Sequence, residues 1–175
     1  MAFKNGTAKK IAVLSLLTGL SLITFIIENL LPPLFIPGAK LGLANIFSLA
    51  ALLLYSPVEA FLVLTARTVL GAVFAGNLSA LLYSFTGGAV AMAVSAVLIY
   101  TVYPKISVMA VSVAAAVLHN ITQNCVFVLL TGSALLFGYM PYLALIGILS
   151  GGVVGGIIIA VFKGIPSKTF EKITT

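Results

Sequence analysis

The sequence predicts an all-α integral membrane protein, a bundle of six transmembrane helices that forms a single domain over residues 1–175. Hydrophobic residues make up 62% of the chain and charged residues only 7%, with a mean hydropathy of +1.27. So few charges are too few to cover the surface of a soluble domain of this size. The apolar residues also fall into separate runs of membrane-spanning length, so the bilayer is the expected solvent.

The six predicted helices follow from the apolar runs and the prolines between them. A helix needs about 20 apolar residues to cross the hydrocarbon core. The runs cover about residues 11–31, 41–55, 57–76, 78–100, 107–131 and 139–162. The first begins after Lys10 and lacks a small-residue cleavage site, so we interpret it as a retained helix and not a signal peptide. The second is short and is expected to be tilted or partly re-entrant. The prolines mark positions where helices start or stop.

The lysines predict the orientation. They precede the first run, lie between the fourth and fifth, and follow the sixth: Lys4, Lys9, Lys10, Lys105, Lys163, Lys168 and Lys172. With six spans all of these share one side, which the positive-inside rule assigns to the cytoplasm, and only Lys40 lies opposite. We expect both termini in the cytoplasm and a multi-pass protein of the cell membrane, specifically the bacterial plasma membrane. The net charge of +6 suits an anionic membrane face and needs no nucleic acid to explain it.

Arg67 is the most informative single residue because it lies at the centre of the third apolar run. A charge at that depth is expensive and persists mainly where it faces a partner, a cavity or a ligand. At about 1.5 Å per residue, Arg67 lies about 15 Å from the start of its helix, and His119 about 18 Å from the start of the fifth. Both are therefore expected near the midplane, close enough to meet.

A polar stripe interrupts the fifth run. His119 and Gln123 are four residues apart, as are Asn120 and Asn124, so the four side chains share one helix face. A continuous polar stripe inside lipid must face protein, water or a ligand. Two interpretations stay open: an interhelical hydrogen-bond seam that holds the bundle together, or a ligand site completed by the charge of Arg67.

The segment between the first two runs predicts a lid over this site. Residues 31–40 are apolar and rich in proline, and water does not favour such a loop exposed. If it folds over a cavity, Lys40 and Asn45 point towards an incoming ligand, and Phe35 and Phe47 pack on its apolar part. The alternative is an interfacial loop among the lipid headgroups. Glu28, which precedes the segment, is predicted to balance charge against Arg67 or Lys40.

Small residues recur at helical spacing in several runs. The sixth run has Gly147, Gly151 and Gly155, and Ala8 and Ala12 flank the start of the first. Such faces let helices approach closely. They predict packing within the chain or, alternatively, a docking face for a partner membrane protein.

Several chemistries are absent from the sequence. There is no nucleotide-binding P-loop motif, so the chain itself does not hydrolyse ATP. With one histidine, one cysteine and no aspartate, it offers no metal-ligand cluster. Nor is there a nucleophile and base with a supporting carboxylate. We therefore predict a protein that is not an enzyme and that carries no cofactor.

Three segments carry a family resemblance: residues 37–45 (PGAKLGLAN), 67–71 (RTVLG) and 84–88 (SFTGG). They resemble the Gx transporter family, also labelled heptaprenyl diphosphate synthase component I, and the resemblance covers nearly the whole chain. The layout is similar to the substrate-binding S components of energy-coupling factor (ECF) importers. That similarity implies docking of Ala8 and Ala12 on a coupling subunit that works with ATPases. The synthase label cannot mean catalysis here, since prenyl diphosphate synthases bind magnesium and diphosphate through aspartate-rich motifs and this chain has no aspartate.

Three functional hypotheses result. The first is an S-component-like subunit that binds a small organic nutrient, or a vitamin- or isoprenoid-related precursor, for an ECF-type importer. Its binding residues are Arg67, His119, Asn120, Gln123, Asn124, Lys40, Asn45 and Glu28. The second is a non-catalytic membrane subunit of quinone-linked electron transfer or isoprenoid and quinone metabolism. The third is a structural partner whose polar stripe is only a helix seam.

Overall fold

A computed structural model of the protein describes residues 7–30, 42–76 and 78–163, and these residues are helical with short connections. The helices are α1 (Thr7–Leu30), α2 (Asn45–Leu54), α3 (Pro57–Ala75), α4 (Leu78–Thr101), α5 (Val108–Thr131) and α6 (Met140–Phe162). A 3₁₀ helix, Ala134–Tyr139, precedes α6 and was not predicted. The all-helical prediction is confirmed, and the part of the chain described here contains no strand.

Local sequence sets the ends of the long helices. Ser56 caps α3 by accepting a hydrogen bond from the backbone N–H of Val58 at 3.3 Å, and Pro57 takes the first helical position. Gly76, with φ +62°, ends α3 in the left-handed conformation that glycine adopts without strain. The helix α5 begins and ends in the same way: Ser107 caps its first turn, and Gly132 follows its last residue.

Among the described residues, five helices are long and apolar enough to cross a membrane, and α2 is not one of them. Its 10 residues measure about 15 Å, about half the thickness of the hydrocarbon core. It is nevertheless among the most buried elements, with Ala51 and Leu52 fully buried. It packs against α1, α3, α4 and α6, so it is a short central helix that the long helices surround.

Glycines set the spacing between α5 and α6. A Cβ added to Gly147, Gly151 or Gly155 would lie 2.7, 2.6 or 2.8 Å from a backbone Cα of α5. The two backbones are therefore in direct contact, as in other small-residue membrane interfaces. The glycine series of the sixth run thus packs within the chain. A Cβ added to the adjacent Gly152 or Gly156 would meet nothing within 4 Å outside its own helix, so these two glycines face away from α5.

The helix directions place the described lysines at one end of the bundle. Lys10 of α1 forms a salt bridge with Glu59 in the first turn of α3, and its ammonium lies 5.7 Å from the ring centroid of Tyr55 after α2. The connection between α4 and α5, with Lys105, and the end of α6, with Lys163, lie at this same end because the consecutive helices α3, α4, α5 and α6 run in alternating directions. We call it the lysine end.

Candidate ligand site

Arg67 is buried inside the bundle, with 3% of its surface exposed. One terminal guanidinium nitrogen donates a hydrogen bond to Oδ1 of Asn45 at 3.1 Å, and the guanidinium carbon lies 5.9 Å from the ring centroid of Phe25. That ring packs so closely that a Cβ on Gly71 would lie 2.7 Å from it. Nε of Arg67 has no hydrogen-bond partner among the described residues. The described residues therefore hold the charge in place but leave part of its hydrogen-bonding capacity unused.

Glu28 carries a negative charge that interacts with this arginine. Its carboxylate attracts the guanidinium of Arg67 electrostatically, and Oε1 accepts a hydrogen bond from the backbone N–H of Leu43 at 2.9 Å. The carboxylate thus lies between the end of α1 and the residues that lead into α2. The structure brings Glu28 to Arg67, one of the two partners predicted for it. The other, Lys40, lies outside the described residues.

The start of α2 is held at mid-depth by a tight turn. Gly42, with φ +68°, places its carbonyl to accept the N–H of Asn45 at 2.9 Å. From α1, the hydroxyl of Ser21 donates to the carbonyl of Ala44 at 2.8 Å. Ser21 lies about 16 Å along α1 from Lys10, so the positive end of the α2 dipole lies near the middle of the bundle, beside the arginine.

The four polar side chains of the α5 stripe do not all face the same part of the bundle. Asn120 and Asn124 turn towards α6 and the 3₁₀ helix, where their amides donate to the carbonyls of Leu143 and Leu136, each at 3.1 Å. These two hydrogen bonds join α5 to the segments beside it, as expected of an interhelical hydrogen-bond seam.

The other half of the stripe faces α4. A Cβ on Gly87 would lie 2.6 Å from Cγ of Gln123 and 3.0 Å from the carbonyl oxygen of His119. Both side chains are buried, with 4% of His119 and 3% of Gln123 exposed. Neither amide atom of Gln123 has a hydrogen-bond partner in the described part of the chain. An unsatisfied buried amide is unusual in a native protein and calls for an explanation.

A cavity of about 30 Å³ lies between α2, α4, α5 and α6. Its polar lining consists of Asn45, Ser95, Ser112, His119, Asn120 and Ser150. By volume it has room for about two water molecules. The three serines were not predicted as site residues, although the sequence places small polar residues within three of the apolar runs. That signal is weak because a serine within a helix commonly bonds to its own backbone.

The predicted site residues therefore form two groups joined by Asn45. Arg67 and Glu28 belong to the first group and do not line the cavity, whereas His119 and Asn120 do. Asn45 binds the arginine and also lines the cavity. Gln123 lies beside His119, and Asn124 reaches the 3₁₀ helix. The predicted lid, residues 32–40 with Phe35 and Lys40, lies outside the described residues.

Two further predictions concern a docking pair on α1 and the lack of a metal-binding cluster. Ala8 and Ala12, the predicted docking pair, are exposed on the outer face of α1. No group of three or more histidine, cysteine, aspartate or glutamate side chains that could hold a metal ion occurs within residues 7–30, 42–76 and 78–163.

Fold and site together define a multi-pass helical membrane protein with a polar cluster at mid-depth. Residues 17–161 match the family described as heptaprenyl diphosphate synthase component I, and the chain belongs to that family. The family resemblance inferred from the sequence motifs is thereby confirmed. A search of curated proteins and a search of solved structures each found no match. The description names one component of a synthase, which implies another component, and the chain is not itself the enzyme.

Proposed function

We propose that this protein is a membrane substrate-binding subunit, similar to an S component, of an ECF-type importer for a small organic nutrient or a vitamin- or isoprenoid-related precursor. The observation that carries the proposal is the incompletely satisfied polar cluster at mid-depth. Nε of Arg67 and both amide atoms of Gln123 are buried without a partner among the described residues. Unsatisfied polar groups within a bilayer cost several kcal/mol by order of magnitude, and a bound ligand would remove that cost.

Each group in the cluster has a proposed role. Arg67, beside the positive end of α2, meets an anionic or carbonyl group of the ligand, and Glu28 balances the charge when the site is empty. His119 and Gln123 supply hydrogen bonds to the ligand. Asn120 and Asn124 do so through their amide oxygens, since their amide nitrogens already donate to the carbonyls of Leu143 and Leu136. Asn45 and Lys40 belong to the closing lid.

Ligand binding on this proposal requires the site to widen. The cavity measures about 30 Å³, whereas pockets for drug-sized ligands are about 300–1,000 Å³. The central helix α2 is the element that we expect to move, because its Asn45 both binds Arg67 and lines the cavity. The turn at Gly42 and the bond from Leu43 to Glu28 are where we expect the change.

The remaining parts of the proposal concern topology and partners. We infer six crossings with both termini in the cytoplasm, because the described lysines share one end of the bundle. The chain returns to the lysine end between α1 and α3, because both of these helices begin at that end. Ala8 and Ala12 are exposed as a docking pair must be, and the partner is a coupling subunit that works with ATPases. Membrane lipids cover the remaining apolar surface.

The family description supports a second candidate function. A component of heptaprenyl diphosphate synthase suggests a non-catalytic membrane subunit of isoprenoid or quinone metabolism, or of quinone-linked electron transfer, that holds a prenyl chain or quinone. The apolar residues around the cavity are compatible with such a ligand.

Native mass spectrometry of gently purified protein tests the proposal. We expect a small polar adduct on the wild type that Arg67→Ala loses, while Lys105→Ala, which removes an exposed positive charge at the lysine end, keeps it. An adduct with a prenyl or quinone mass would establish the second function instead. Loss of folded protein in Arg67→Ala, with no adduct on the wild type, would assign the cluster a purely structural role.

A further inference from the structure

Three serines on three different helices line the same cavity: Ser95 of α4, Ser112 of α5 and Ser150 of α6. A Cβ on Gly87 would contact His119. Since α4 and α5 run in opposite directions, the serine eight residues after Gly87 lies level with the serine seven residues before His119. A Cβ on Gly151 would lie 2.9 Å from the carbonyl oxygen of Ser112, and Ser150 directly precedes Gly151. The three serines therefore lie at about one depth, and we call them the serine layer.

The serine layer forms the end of the cavity that faces the lysine end. Beyond it, the surrounding helices continue with residues of the hydrophobic core, among them Leu52, Ile99 and Ile158, which are at most 2% exposed. In the other direction the cavity reaches Asn45 and His119 at mid-depth. At about 1.5 Å per residue, the serine layer lies about 10 Å along α5 from His119. The cavity therefore has two polar ends, one at the serine layer and one at mid-depth.

The hydroxyls of the serine layer have hydrogen-bonding capacity that the described residues leave unused. Ser95, Ser112 and Ser150 are 4%, 3% and 3% exposed. Ser150 donates to the carbonyl of Gly147 at 3.3 Å. The hydroxyls of Ser95 and Ser112 make no hydrogen bond to any described residue, although a serine within a helix usually bonds to the preceding turn. Since a buried polar group without a partner is costly, these two hydroxyls are suited to a polar group inside the cavity.

Between its two polar ends the cavity is lined by small residues of α4 and α5: Gly88, Ala91, Ala115 and Ala116. These residues leave room for a narrow molecule along the two helices. A ligand with a hydrocarbon end would place apolar atoms against Ser95 and Ser112 and leave both hydroxyls without a partner. A ligand with a polar group at each end would supply partners at the serine layer and at mid-depth together.

We propose that the ligand of this site is a narrow molecule with polar groups at both ends. An anionic or carbonyl group lies at Asn45 and Arg67, and a second group lies at the serine layer. The second group is an uncharged hydroxyl, carbonyl or amide, because the serine hydroxyls carry no charge to balance an ion. The inference rests on the proposed binding function and specifies the class of substrate within it. The serine layer belongs to α4, α5 and α6, so we expect it to stay in place when α2 moves to admit the ligand.

Native mass spectrometry of Ser95→Ala and Ser112→Ala, with the molecule that co-purifies with the protein as the probe, tests this inference. Ser48→Ala is the matched control. Ser48 is a fully buried serine whose hydroxyl has no hydrogen-bond partner among the described residues, and it does not line the cavity. Each of the three substitutions removes one unpartnered hydroxyl, so the unfolding temperature of the ligand-stripped protein should stay the same or rise.

We expect the ratio of adduct-bearing to free protein to fall about fivefold in Ser95→Ala and in Ser112→Ala, and to stay at the wild-type value in Ser48→Ala. Fragmentation of the released molecule should show polar groups at two separate positions. An adduct that Arg67→Ala loses but both serine variants keep would overturn this inference alone, as would a molecule with one polar end. A wild type without any adduct would overturn the proposed function as well. The two test serines lie on different helices, so failure of one variant to fold leaves the other as a full test.

Discussion

Arg67 and Gln123 are the residues whose burial is hardest to explain by folding alone. The bundle provides the arginine with Asn45, the ring of Phe25 and the charge of Glu28, and it still leaves Nε without a partner among the described residues. A protein that needed only a stable bundle would be at least as well served by an apolar residue, because isosteric replacement of buried ionic groups is often neutral or stabilising. The retained charge is thus more readily explained by binding than by stability.

At the same scale, Gly87 keeps His119 and Gln123 in position. Gly87→Ala places a Cβ 2.6 Å from Cγ of Gln123 and 3.0 Å from the carbonyl of His119, so at least one must move. We expect destabilisation of about 1–3 kcal/mol and loss of any adduct. Gly19→Ala is the control, because nothing lies within 4 Å and alanine favours a helix. Thermal unfolding in detergent checks both, and equal melting temperatures for the two variants would contradict this account.

The polar stripe shows what the sequence could predict at this scale and what it could not. Spacing placed His119, Asn120, Gln123 and Asn124 on one helix face. Spacing could not show that this face meets two neighbours, because that depends on where α4 and α6 pack. The asparagines bond to carbonyls on one side, and His119 and Gln123 meet a glycine on the other.

At the scale of elements, contact between the backbones of α5 and α6 makes one glycine face sensitive and its neighbour tolerant. Gly151→Ala puts a Cβ 2.6 Å from Cα of Val113, whereas Gly152→Ala enters open space. We expect Gly151→Ala to lower stability by about 1–3 kcal/mol and Gly152→Ala to change it by less than about 0.5 kcal/mol. The unfolding temperatures of the two variants check this. A larger loss for Gly152→Ala would show that the outward face is also an interface.

The sequence predicted well those helices whose bounds follow from the length of an apolar run. The five long helices match their predicted bounds to within a few residues, because a span needs a fixed length of apolar chain and serine, proline and glycine mark its ends. The short α2 was foreseen as unusual, but its central position depends on contacts with four helices. The 3₁₀ helix Ala134–Tyr139 was missed because a short apolar segment next to a span looks like part of it.

At the scale of the whole molecule, the lysine end fixes the orientation that we propose. In a Cys125→Ala background, Lys105→Cys should react with a membrane-impermeant maleimide only after the cells are opened. Leu135→Cys, at the other end and 88% exposed, should react in intact cells. Labelling of both positions in intact cells, or of Lys105→Cys alone, would contradict the orientation.

We propose that the mid-depth cluster binds a ligand and does not serve to hold the bundle together. The most direct test is the unfolding temperature of the ligand-stripped double variant Arg67→Met with Glu28→Gln. This variant removes both charges, while an amide oxygen remains to accept the N–H of Leu43. We predict that it unfolds at or above the temperature of stripped wild type and binds no adduct. Unfolding several degrees below the wild type would contradict the claim and make the buried charges part of the structural core.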